Sequence, residues 1–413
     1  MVTNWKRIKI GDSFDFKNGL SKEKEYFGKG TPIVNYTDVY KNRELGKSDV
    51  KGKVTLTADE IKRFKVEKYD VFFTRTSETP DEVGYASVLL EEIDNCVFSG
   101  FVLRAHPKND LFYPEYCKYC FMTPDVREAI SKTCTYTTRA LTNGRQLSEI
   151  EIVLPPVQEQ KRIANALTDI DKLIYSFEKQ IAKKKAIKQG AMQELLTGKK
   201  RLPGFSGEWQ TFVFGELFDF IPNNAFTRAQ MSDSGKVKNI HYGDILTKYG
   251  AYVDGGCDAI PYISKEVDLA RFAERCYLQS GDIIIADTAE DETVGKALEV
   301  VNVDCPILAG QHTLLCRPKI AFAEKFLGYY LNAACYHDQL LPYIVGTKVS
   351  SVSKASVAQT KLIVPEYEEQ QAIAEILSNM DSEIEALERK LEKYRQVKQG
   401  MMQQLLTGKI RLV

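Results

Sequence analysis

Short polar side chains follow two apolar segments of this sequence. Thr74, Arg75, Thr76 and Ser77 come directly after residues 71–73, and Asp287 and Thr288 come shortly after residues 283–285. Hydroxyl, guanidinium and carboxylate groups at strand ends can hydrogen-bond to base edges and phosphates of nucleic acid. Ordinary turn chemistry is the alternative, because Ser, Thr and Asp also bond to nearby backbone groups. We call these six residues the strand-end clusters.

Two hydroxyl-rich segments with interspersed cations occur later, at residues 136–145 and 346–354, which we call the pre-helix segments. They are nearly free of acidic residues, so they could lie against phosphates, although a mobile polar linker would have similar composition. Recurrence at the same place in two parts of the chain favours DNA contact. The candidate residues are Thr137, Thr138, Arg139, Asn143, Arg145, Thr347, Lys348, Ser350, Ser351, Ser353 and Lys354.

A third set of candidates surrounds two tyrosines. Asn35, Tyr36 and Thr37 align with a segment that begins His241-Tyr242. Tyrosine can stack or hydrogen-bond at an interface, but it is as often a core residue. Both interpretations stay open for these tyrosine clusters.

An internal repeat organises these candidates. The stretch LPPVQEQKRIANALTDIDKLI, from Leu154, aligns without gaps with VPEYEEQQAIAEILSNMDSEI, from Val364. Upstream, the two halves match at shifting offsets: Trp5 aligns with Trp209, Asp70 with Asp282, and Gly100 with Gly310. Such a repeat predicts two equivalent structural units. We expect globular domains at residues 1–153 and 203–363, each followed by a helical segment, at residues 154–202 and 364–413.

The helical segments carry a heptad pattern, in which apolar residues recur at alternating steps of four and three. The positions are Ile163, Leu167, Ile170, Ile174, Phe177 and Ile181 in the first helix, and Ile373, Leu377, Met380, Ile384, Leu387, Leu391 and Tyr394 in the second. Each apolar stripe must be buried, and the other repeat is the partner of equal length. Two equivalent units that use the same surface predict an antiparallel coiled coil with pseudo-twofold symmetry. The first segment is net basic and the second net acidic, which supports pairing, although solvated charged faces are the alternative.

Both globular domains are predicted to be α+β. Strands are expected at residues 32–39, 70–76, 86–92 and 100–105, followed by one or two helices over 114–132. In the second domain, strands are expected at 240–246, 282–288, 297–303 and 312–318, with a helical region over 321–341.

Composition limits the function classes. The chain has 56 basic and 56 acidic residues in 413, so DNA affinity would have to come from local patches or from partners. Its nine cysteines are scattered and odd in number, which is typical of reduced thiols, and Cys117 and Cys120 are expected to be packing residues. We also expect a cytoplasmic protein, because no apolar stretch is long enough for a membrane span or a signal peptide.

Catalytic motifs are missing from the sequence. There is no Asp/Asn-Pro-Pro-Tyr/Phe methyltransferase motif and no Walker A phosphate loop. The acidic pairs at residues 81–82 and 291–292 lack a nearby Glu-x-Lys, and the four histidines have no metal-ligand spacing. We therefore expect a non-catalytic chain with no metal site and no cofactor of its own.

The chain resembles the specificity subunits of type I restriction-modification enzymes. The resemblance lies in the two helix starts, LPPVQEQ and VPEYEEQ, and in LLTGKKRLPGFSGEW, which leads from the first helix into the second domain. The resemblance covers essentially the whole chain. It implies two target recognition domains that read a bipartite, asymmetric site in double-stranded DNA, separated by helical spacers. It also implies two methyltransferase subunits and, in the full complex, two restriction subunits as partners, which carry S-adenosylmethionine, ATP and Mg.

The same resemblance implies positions for folding and methyltransferase docking in the helical regions. They are Glu159, Gln160, Asp171, Glu369, Gln370 and Asp381. DNA-contacting residues cannot be carried over in this way, because recognition domains differ in the part that reads sequence. A stand-alone nuclease or restriction-methylation fusion, and a coiled-coil scaffold without DNA recognition, are the alternative functions.

Overall fold

A computed structural model describes residues 4–256, 259–290, 293–346 and 349–412. Its contacts divide the chain into two compact units. Unit 1 comprises Met1–Glu178 and Arg389–Val413, and unit 2 comprises Lys179–Glu388. Each unit therefore contains one globular domain, the first part of the helix that follows it and the last part of the other long helix. The four segments expected from the sequence remain a prediction, because these units divide both long helices.

Unit 1 begins with an α+β domain. Its strands are β1 (Lys6–Lys9), β2 (Phe14–Asn18), β3 (Phe27–Val34), β4 (Glu44–Leu45), β5 (Lys53–Val54), β6 (Val71–Thr74), β7 (Thr76–Ser77), β8 (Ala86–Leu89), β9 (Val97–Phe98), β10 (Val102–Pro107), β11 (Thr135–Tyr136), β12 (Ala140–Leu141) and β13 (Glu151–Leu154). The helices that begin in it are α1 (Tyr36–Lys41), α2 (Ala58–Phe64), α3 (Cys117–Cys120), α4 (Pro124–Thr133), α5 (Gly144–Ser148) and α6 (Val157–Leu195).

Unit 2 contains the second α+β domain. Its strands are β14 (Gln210–Val213), β15 (Phe218–Ile221), β16 (Met231–Ser232), β17 (Lys238–Ile240), β18 (Tyr252–Asp254), β19 (Tyr262–Ile263), β20 (Ile283–Ala286), β21 (Thr288–Ala289), β22 (Ala297–Val301), β23 (Ile307–Ala309), β24 (Thr313–Pro318), β25 (Ser350–Ser351) and β26 (Lys361–Val364). The helices that begin in it are α7 (Phe214–Leu217), α8 (Tyr242–Thr247), α9 (Phe326–Leu331), α10 (Ala334–His337), α11 (Lys354–Gln359) and α12 (Tyr367–Leu405).

The two domains have the same central sheet. The strand order is β2-β10-β6-β8-β4 in unit 1 and β15-β24-β20-β22-β18 in unit 2. In each sheet the last pair is parallel and the other pairs are antiparallel. A two-stranded ladder, β1 with β13 or β14 with β26, ties the start of each domain to the residues that precede its long helix. The predicted α+β class and the two long helices are confirmed.

The prediction of strands at residues 32–39 and 240–246 is wrong for most of these residues. β3 ends at Val34, and α1 begins at Tyr36 because Asn35 caps it, with the Asn35 backbone N–H donating to Asp38 Oδ2 at 2.8 Å. In unit 2, His241 takes the cap position, and its Nδ1 accepts from the backbone N–H of Gly243 at 3.2 Å. A polar N-cap residue thus ends the strand in both domains.

Both long helices take part in the core of each unit. In unit 1, the buried Ile163 and Leu167 of α6 pack with strand residues and with Leu405 of α12. In unit 2, Ile373 of α12 packs in the same way with Leu195 of α6. The heptad positions near each domain are therefore shared between the coiled coil and the domain core.

Within each unit the paired helices run antiparallel. In unit 1, Asp171 pairs with Lys398 at 2.6 Å and Glu178 with Arg395 at 2.7 Å, so residue numbers rise along one helix as they fall along the other. The Phe177 and Tyr394 rings stack, with centroids 5.4 Å apart. Unit 2 has the same direction, shown by the pairs Lys184–Glu383, Lys185–Glu388 and Lys188–Asp381. The opposite charges of the two helical segments thus meet in ion pairs instead of forming only solvated faces.

Gln160 fastens the start of α6 to its domain. It is fully buried, its Oε1 accepts from the Tyr113 backbone N–H at 2.8 Å, and its Nε2 donates to the carbonyl oxygens of Leu111 and Pro155 at 2.8 and 2.9 Å. Gln370 repeats two of these bonds in unit 2, with the Ala323 N–H and the Pro365 carbonyl. The Gln160 side-chain amide both donates and accepts where the start of α6 meets the loop before α3. It thereby supplies hydrogen-bond partners to these three backbone groups.

We predict that Gln160→Ala lowers the free energy of unfolding by about 2 kcal/mol, because one buried and two part-buried hydrogen bonds to backbone groups are lost at ~0.5–1 kcal/mol each. Gln158→Ala is the matched control, since it makes the same change at an exposed position of the same helix. It should cost no more than about 0.5 kcal/mol. Urea unfolding of the full chain, followed by circular dichroism, checks both values. Equal shifts in the two variants would contradict this role of Gln160.

Candidate nucleic-acid interface

The strand-end clusters and the pre-helix segments meet in one small sheet. In unit 1, β7 pairs with β12, which also pairs with β11, so that Thr76 lies opposite Leu141. In unit 2, β21 pairs with β25, so that Thr288 lies opposite Ser351. The sequence predicted two separate polar segments in each domain. The structure joins them, and a mobile linker does not describe the paired residues.

Backbone hydrogen bonds extend this arrangement identically in the two domains. The carbonyl oxygen of Arg75 accepts from the N–H of Thr142 at 3.0 Å, and that of Asp287 accepts from the N–H of Val352 at 2.9 Å. Arg75 and Asp287 therefore occupy the same position with opposite charge. This arrangement of paired strands and backbone hydrogen bonds, which we call the frame, is the same in both domains, whereas the side chain at this position differs.

A groove in unit 1 collects cationic and amide side chains from four segments of the chain. Its lining includes Lys17 and Asn18 from β2, Arg75 from the strand-end cluster, Lys108, and Asn143 and Arg145 from the pre-helix segment. We call it the basic groove. Asp15 also lines it, 3.7 Å from Lys108, so four cationic side chains stand against this one carboxylate and the lining is net positive. Such a groove favours an anionic backbone.

Three arginines of unit 1 are candidates for contact with a ligand. Arg75 is half-buried, Arg139 and Arg145 are exposed, and none of the three forms an ion pair with any residue in the described part of the chain. Thr137 and Thr138 are exposed beside Arg139. Phosphate contact by these residues remains a prediction.

A second groove of unit 1 adjoins the small sheet. It is lined by Tyr36, Thr76, Ser77, Glu78, Glu82, Phe101 and Arg139, and it brings the tyrosine cluster to the strand-end cluster. Tyr36 is half-buried and stacks on Tyr40 with ring centroids 5.6 Å apart, while Thr37 is exposed. We call it the aromatic groove. Tyr36 therefore packs against the core of unit 1 on one side and lines this groove on the other.

Several predicted contact residues hold the frame in place. Thr74 is fully buried, and its Oγ1 accepts from the Tyr85 backbone N–H at 2.9 Å, which is incompatible with direct DNA contact in this conformation. Ser77 is buried and donates to Glu82 Oε2 at 3.1 Å. Asn35 and His241 are the helix caps described above. Burial lowers the pKa of His241, with a further contribution from Arg228, so its imidazole is neutral at neutral pH.

The unit 2 candidates surround an exposed histidine. Tyr242 lies edge-on to His312 with ring centroids 5.3 Å apart, and Thr288 Oγ1 is 3.4 Å from His312 Nδ1. Asp287 accepts from the Thr288 hydroxyl at 2.7 Å. In the pre-helix segment, Ser350 and Ser351 are half-buried strand residues, Ser353 caps α11 and Lys354 is exposed. Thr347 and Lys348 lie outside the described residues.

The sequence analysis missed four residues that line these surfaces. Lys17 and Lys108 complete the basic groove, Phe101 lies in the aromatic groove, and His312 is the central unit 2 residue. Gly100, directly before Phe101, was the available signal in unit 1, since a tight turn before a strand can present the next side chain to solvent.

Residues 3–189 and 206–394 match the family described as "Type I restriction modification DNA specificity domain". The chain belongs to this family. Its two matched segments each contain one globular domain and part of a long helix.

Curated relatives and solved structures agree. The chain is 27% identical over 71% of its length to the MjaVIII specificity subunit of Methanocaldococcus jannaschii, of which 70% is covered. It is 23% identical over 99% of its length to the putative MjaX specificity subunit of the same organism, of which 94% is covered. The fold matches the S subunit of M. genitalium with a TM-score of 0.57, at 15% identity, over 97% of this chain and 96% of that one.

As a specificity subunit, this chain recognises DNA and does not catalyse a reaction. Among the described residues, no three His, Cys, Asp or Glu side chains are grouped to hold a metal ion.

Cys117 and Cys120 are buried, and burial raises the pKa of Cys120, which fits their expected role in packing. None of the described helices is long and apolar enough to cross a membrane.

The six helix-region residues carried over from the specificity subunits have internal partners. Glu159, Gln160, Glu369 and Gln370 are buried. Asp171 accepts from the Tyr119 hydroxyl at 2.7 Å, and Asp381 accepts from the Tyr329 hydroxyl at 2.7 Å. These contacts account for a folding role. Direct contact with a methyltransferase stays a prediction, which the burial of the first four residues makes difficult.

We predict that Arg145→Ala weakens binding to DNA of any sequence, because it removes an unpaired cation from the basic groove. The slope of log K against log salt concentration should become shallower by about 0.9. Lys132→Ala, which removes the same charge from an exposed, ion-paired position on α4, should leave the slope unchanged. Fluorescence anisotropy with a random-sequence duplex at several salt concentrations measures both. Equal slopes for the two variants would show that the basic groove does not contact phosphates.

Proposed function

We propose that the two globular domains are target recognition domains that each contact one half of a bipartite, asymmetric site in double-stranded DNA. The observation that carries this proposal is the repeated small sheet. Both domains place polar side chains at equivalent positions of the same frame, with an arginine at one position in unit 1 and an aspartate in unit 2. Equal frames with unequal side chains are suited to recognising two different base sequences.

The DNA-contacting set is proposed from exposure and location. Phosphate contacts come from the basic groove and the exposed pre-helix residues, including Arg139, Arg145 and Lys354, because cations fix position without reading sequence. Base contacts come from Tyr36, Thr37, Thr76, Tyr242, Asp287 and Thr288. Thr74 and Ser77 are left out of this set, and Asn35 and His241 act as caps.

We infer that the partners are two methyltransferase subunits and, in the restricting complex, two restriction subunits. These would carry S-adenosylmethionine, ATP and Mg, and the complex would act in the cytoplasm. The long helices, outside their buried seam, offer the surface for docking and set the separation of the half-sites. A stand-alone nuclease, a restriction-methylation fusion and a scaffold without DNA recognition are not favoured by the family match.

Co-expression with its methyltransferase subunit in a methylation-free host tests this function. Sequencing that detects methylated bases should reveal one new motif with two defined halves and an unspecified gap. The chain expressed alone should add no methylation. A continuous palindrome, or no new motif from a complex shown to bind S-adenosylmethionine, would contradict the proposal.

Exchange of one domain is the sharper form of this test. Replacement of residues 1–153 by the first domain of another specificity subunit should change one half of the motif and leave the other half intact, because each domain has its own complete frame. The same exchange of residues 203–363 is the matched variant and should change the other half. If either exchange altered both halves, the two-domain account of recognition would be wrong.

A further inference from the structure

Backbone hydrogen bonds establish which loop residues are equivalent in the two domains. The Ser99 N–H donates to the Val34 carbonyl at 2.9 Å, and the Gly310 N–H donates to the Ile240 carbonyl at 2.8 Å. Since β3 and β17 are equivalent strands, Ser99 matches Gly310. The alignment of Gly100 with Gly310 is therefore wrong by one residue.

The same comparison matches Phe101 with His312. The carbonyl oxygen of Phe101 accepts from the Arg75 N–H at 3.0 Å, and that of His312 accepts from the Asp287 N–H at 3.1 Å. Both residues immediately precede the strand that pairs with the central β6 or β20. Each domain thus places one ring at the same point beside its strand-end cluster.

Phe101 is exposed to solvent on a turn that is held by hydrogen bonds and close packing. It is 64% exposed, more than any other phenylalanine or tyrosine in the part of the chain that the structure describes. The Gly100 N–H donates to the Leu20 carbonyl at 2.6 Å, and the Phe101 N–H donates to Ser99 Oγ at 3.2 Å. A Cβ at residue 100 would lie 2.8 Å from Ser21 Oγ, so the turn is also closely packed. The backbone of this turn is thus held by hydrogen bonds, while the Phe101 ring is exposed to solvent.

The surroundings of Phe101 are polar. The other residues that line the aromatic groove bear hydroxyl, carboxylate or guanidinium groups: Tyr36, Thr76, Ser77, Glu78, Glu82 and Arg139. An exposed phenyl ring among such groups gains little from the protein itself, since its apolar area stays in water. The flat faces of bases and the thymine methyl group are apolar surfaces that this ring could cover.

His312 gives unit 2 a different chemistry at the equivalent point. Its side chain is 45% exposed, and its backbone has a φ of 57°, an uncommon conformation for a residue with a side chain. The ring lies against Tyr242 and near Thr288, and Nε2 is 3.2 Å from Gln311 Nε2. An imidazole beside an amide can donate to or accept from a base edge.

We propose that Phe101 and His312 are equivalent specificity-determining residues, each contacting one base pair, with Phe101 covering a base face or thymine methyl and His312 hydrogen-bonding to a base edge. This inference rests on the proposed function, which it deepens. It assigns part of the difference between the two half-sites to one position of the shared frame. The left-handed His312 backbone and the hydrogen-bonded Phe101 turn set the direction in which each side chain leaves the loop.

The test uses the full chain in complex with its methyltransferase subunit and duplexes that carry the motif found by methylation sequencing. Phe101→Ala should lower methylation about tenfold, or make one base pair degenerate, in a single half-site. His312→Ala should do the same in the other half-site. The exchanges Phe101→His and His312→Phe should alter base preference only in their own half. Leu111→Ala, which truncates another exposed apolar side chain of unit 1, is the control and should change neither half.

Modified bases separate the two ways in which Phe101 could contact DNA. If the ring covers a thymine methyl, deoxyuridine at that position should reduce methylation by the unaltered complex but not by the Phe101→Ala complex. If it stacks on a base, 2-aminopurine at that position should change fluorescence on binding only when the ring is present. Either result supports the inference, and failure of both overturns the assignment of Phe101.

Other outcomes discriminate further. If the unaltered complex yields a two-part motif but Phe101→Ala and His312→Ala leave motif and rate unchanged, this inference is wrong and the proposed function stands. If the unaltered complex yields no such motif, both fail together. Circular dichroism and assembly with the methyltransferase establish that each variant is folded, and Phe101→Leu, a smaller change, should show a weaker form of the same loss.

Discussion

A buried carboxylate at the start of each long helix binds its globular domain and the segment that follows the other long helix, and the rest of the structure depends on this interaction. In unit 1, Glu159 at the start of α6 accepts from Trp5 Nε1 at 3.0 Å and forms two bonds with Arg411, at 2.5 and 2.6 Å. In unit 2, Glu369 accepts from Trp209 and from Arg201 in the same way. Burial alone would raise the pKa of Glu159, but bonds from Arg411 and Trp5 outweigh it and hold the pKa below its usual value. The Glu159 carboxylate is therefore charged in its buried position.

Such a buried group is better suited to fixing register than to adding stability. Desolvation of a charged pair offsets much of its attraction, whereas a misaligned helix would leave the carboxylate buried without a partner. The residue just before the first domain strand, the start of the helix and the segment after the other helix must all be aligned for the three side chains to meet. Gln160, Asp171 and their counterparts add further bonds at the same junction. A stable frame allows the surface residues of the two small sheets to differ without changing the fold.

Much of this organisation could be predicted from the sequence, because it depends on local or periodic signals. The gap-free helix repeat predicted α6 and α12, and apolar runs predicted the central strands such as β6 and β20. The strands expected around Tyr36 and Tyr242 were wrong because a polar cap outweighed the apolar pattern. The pairing of β7 with β12 joins residues distant in sequence, so no local pattern could reveal it. The equivalence of Phe101 and His312 was hidden because matching glycine identities gave an alignment shifted by one residue.

Site-specific crosslinking tests the central claim, that each domain contacts its own half of one DNA site. A photoreactive p-benzoylphenylalanine would replace Arg139 in unit 1 or Val349 in unit 2, both of which are exposed. The complex with methyltransferase would then be irradiated on a duplex that carries the methylated motif. The account predicts that each variant crosslinks within or beside one half-site, and that the two variants mark different halves. Crosslinks from both variants to the same half, or crosslinks insensitive to the motif, would contradict it.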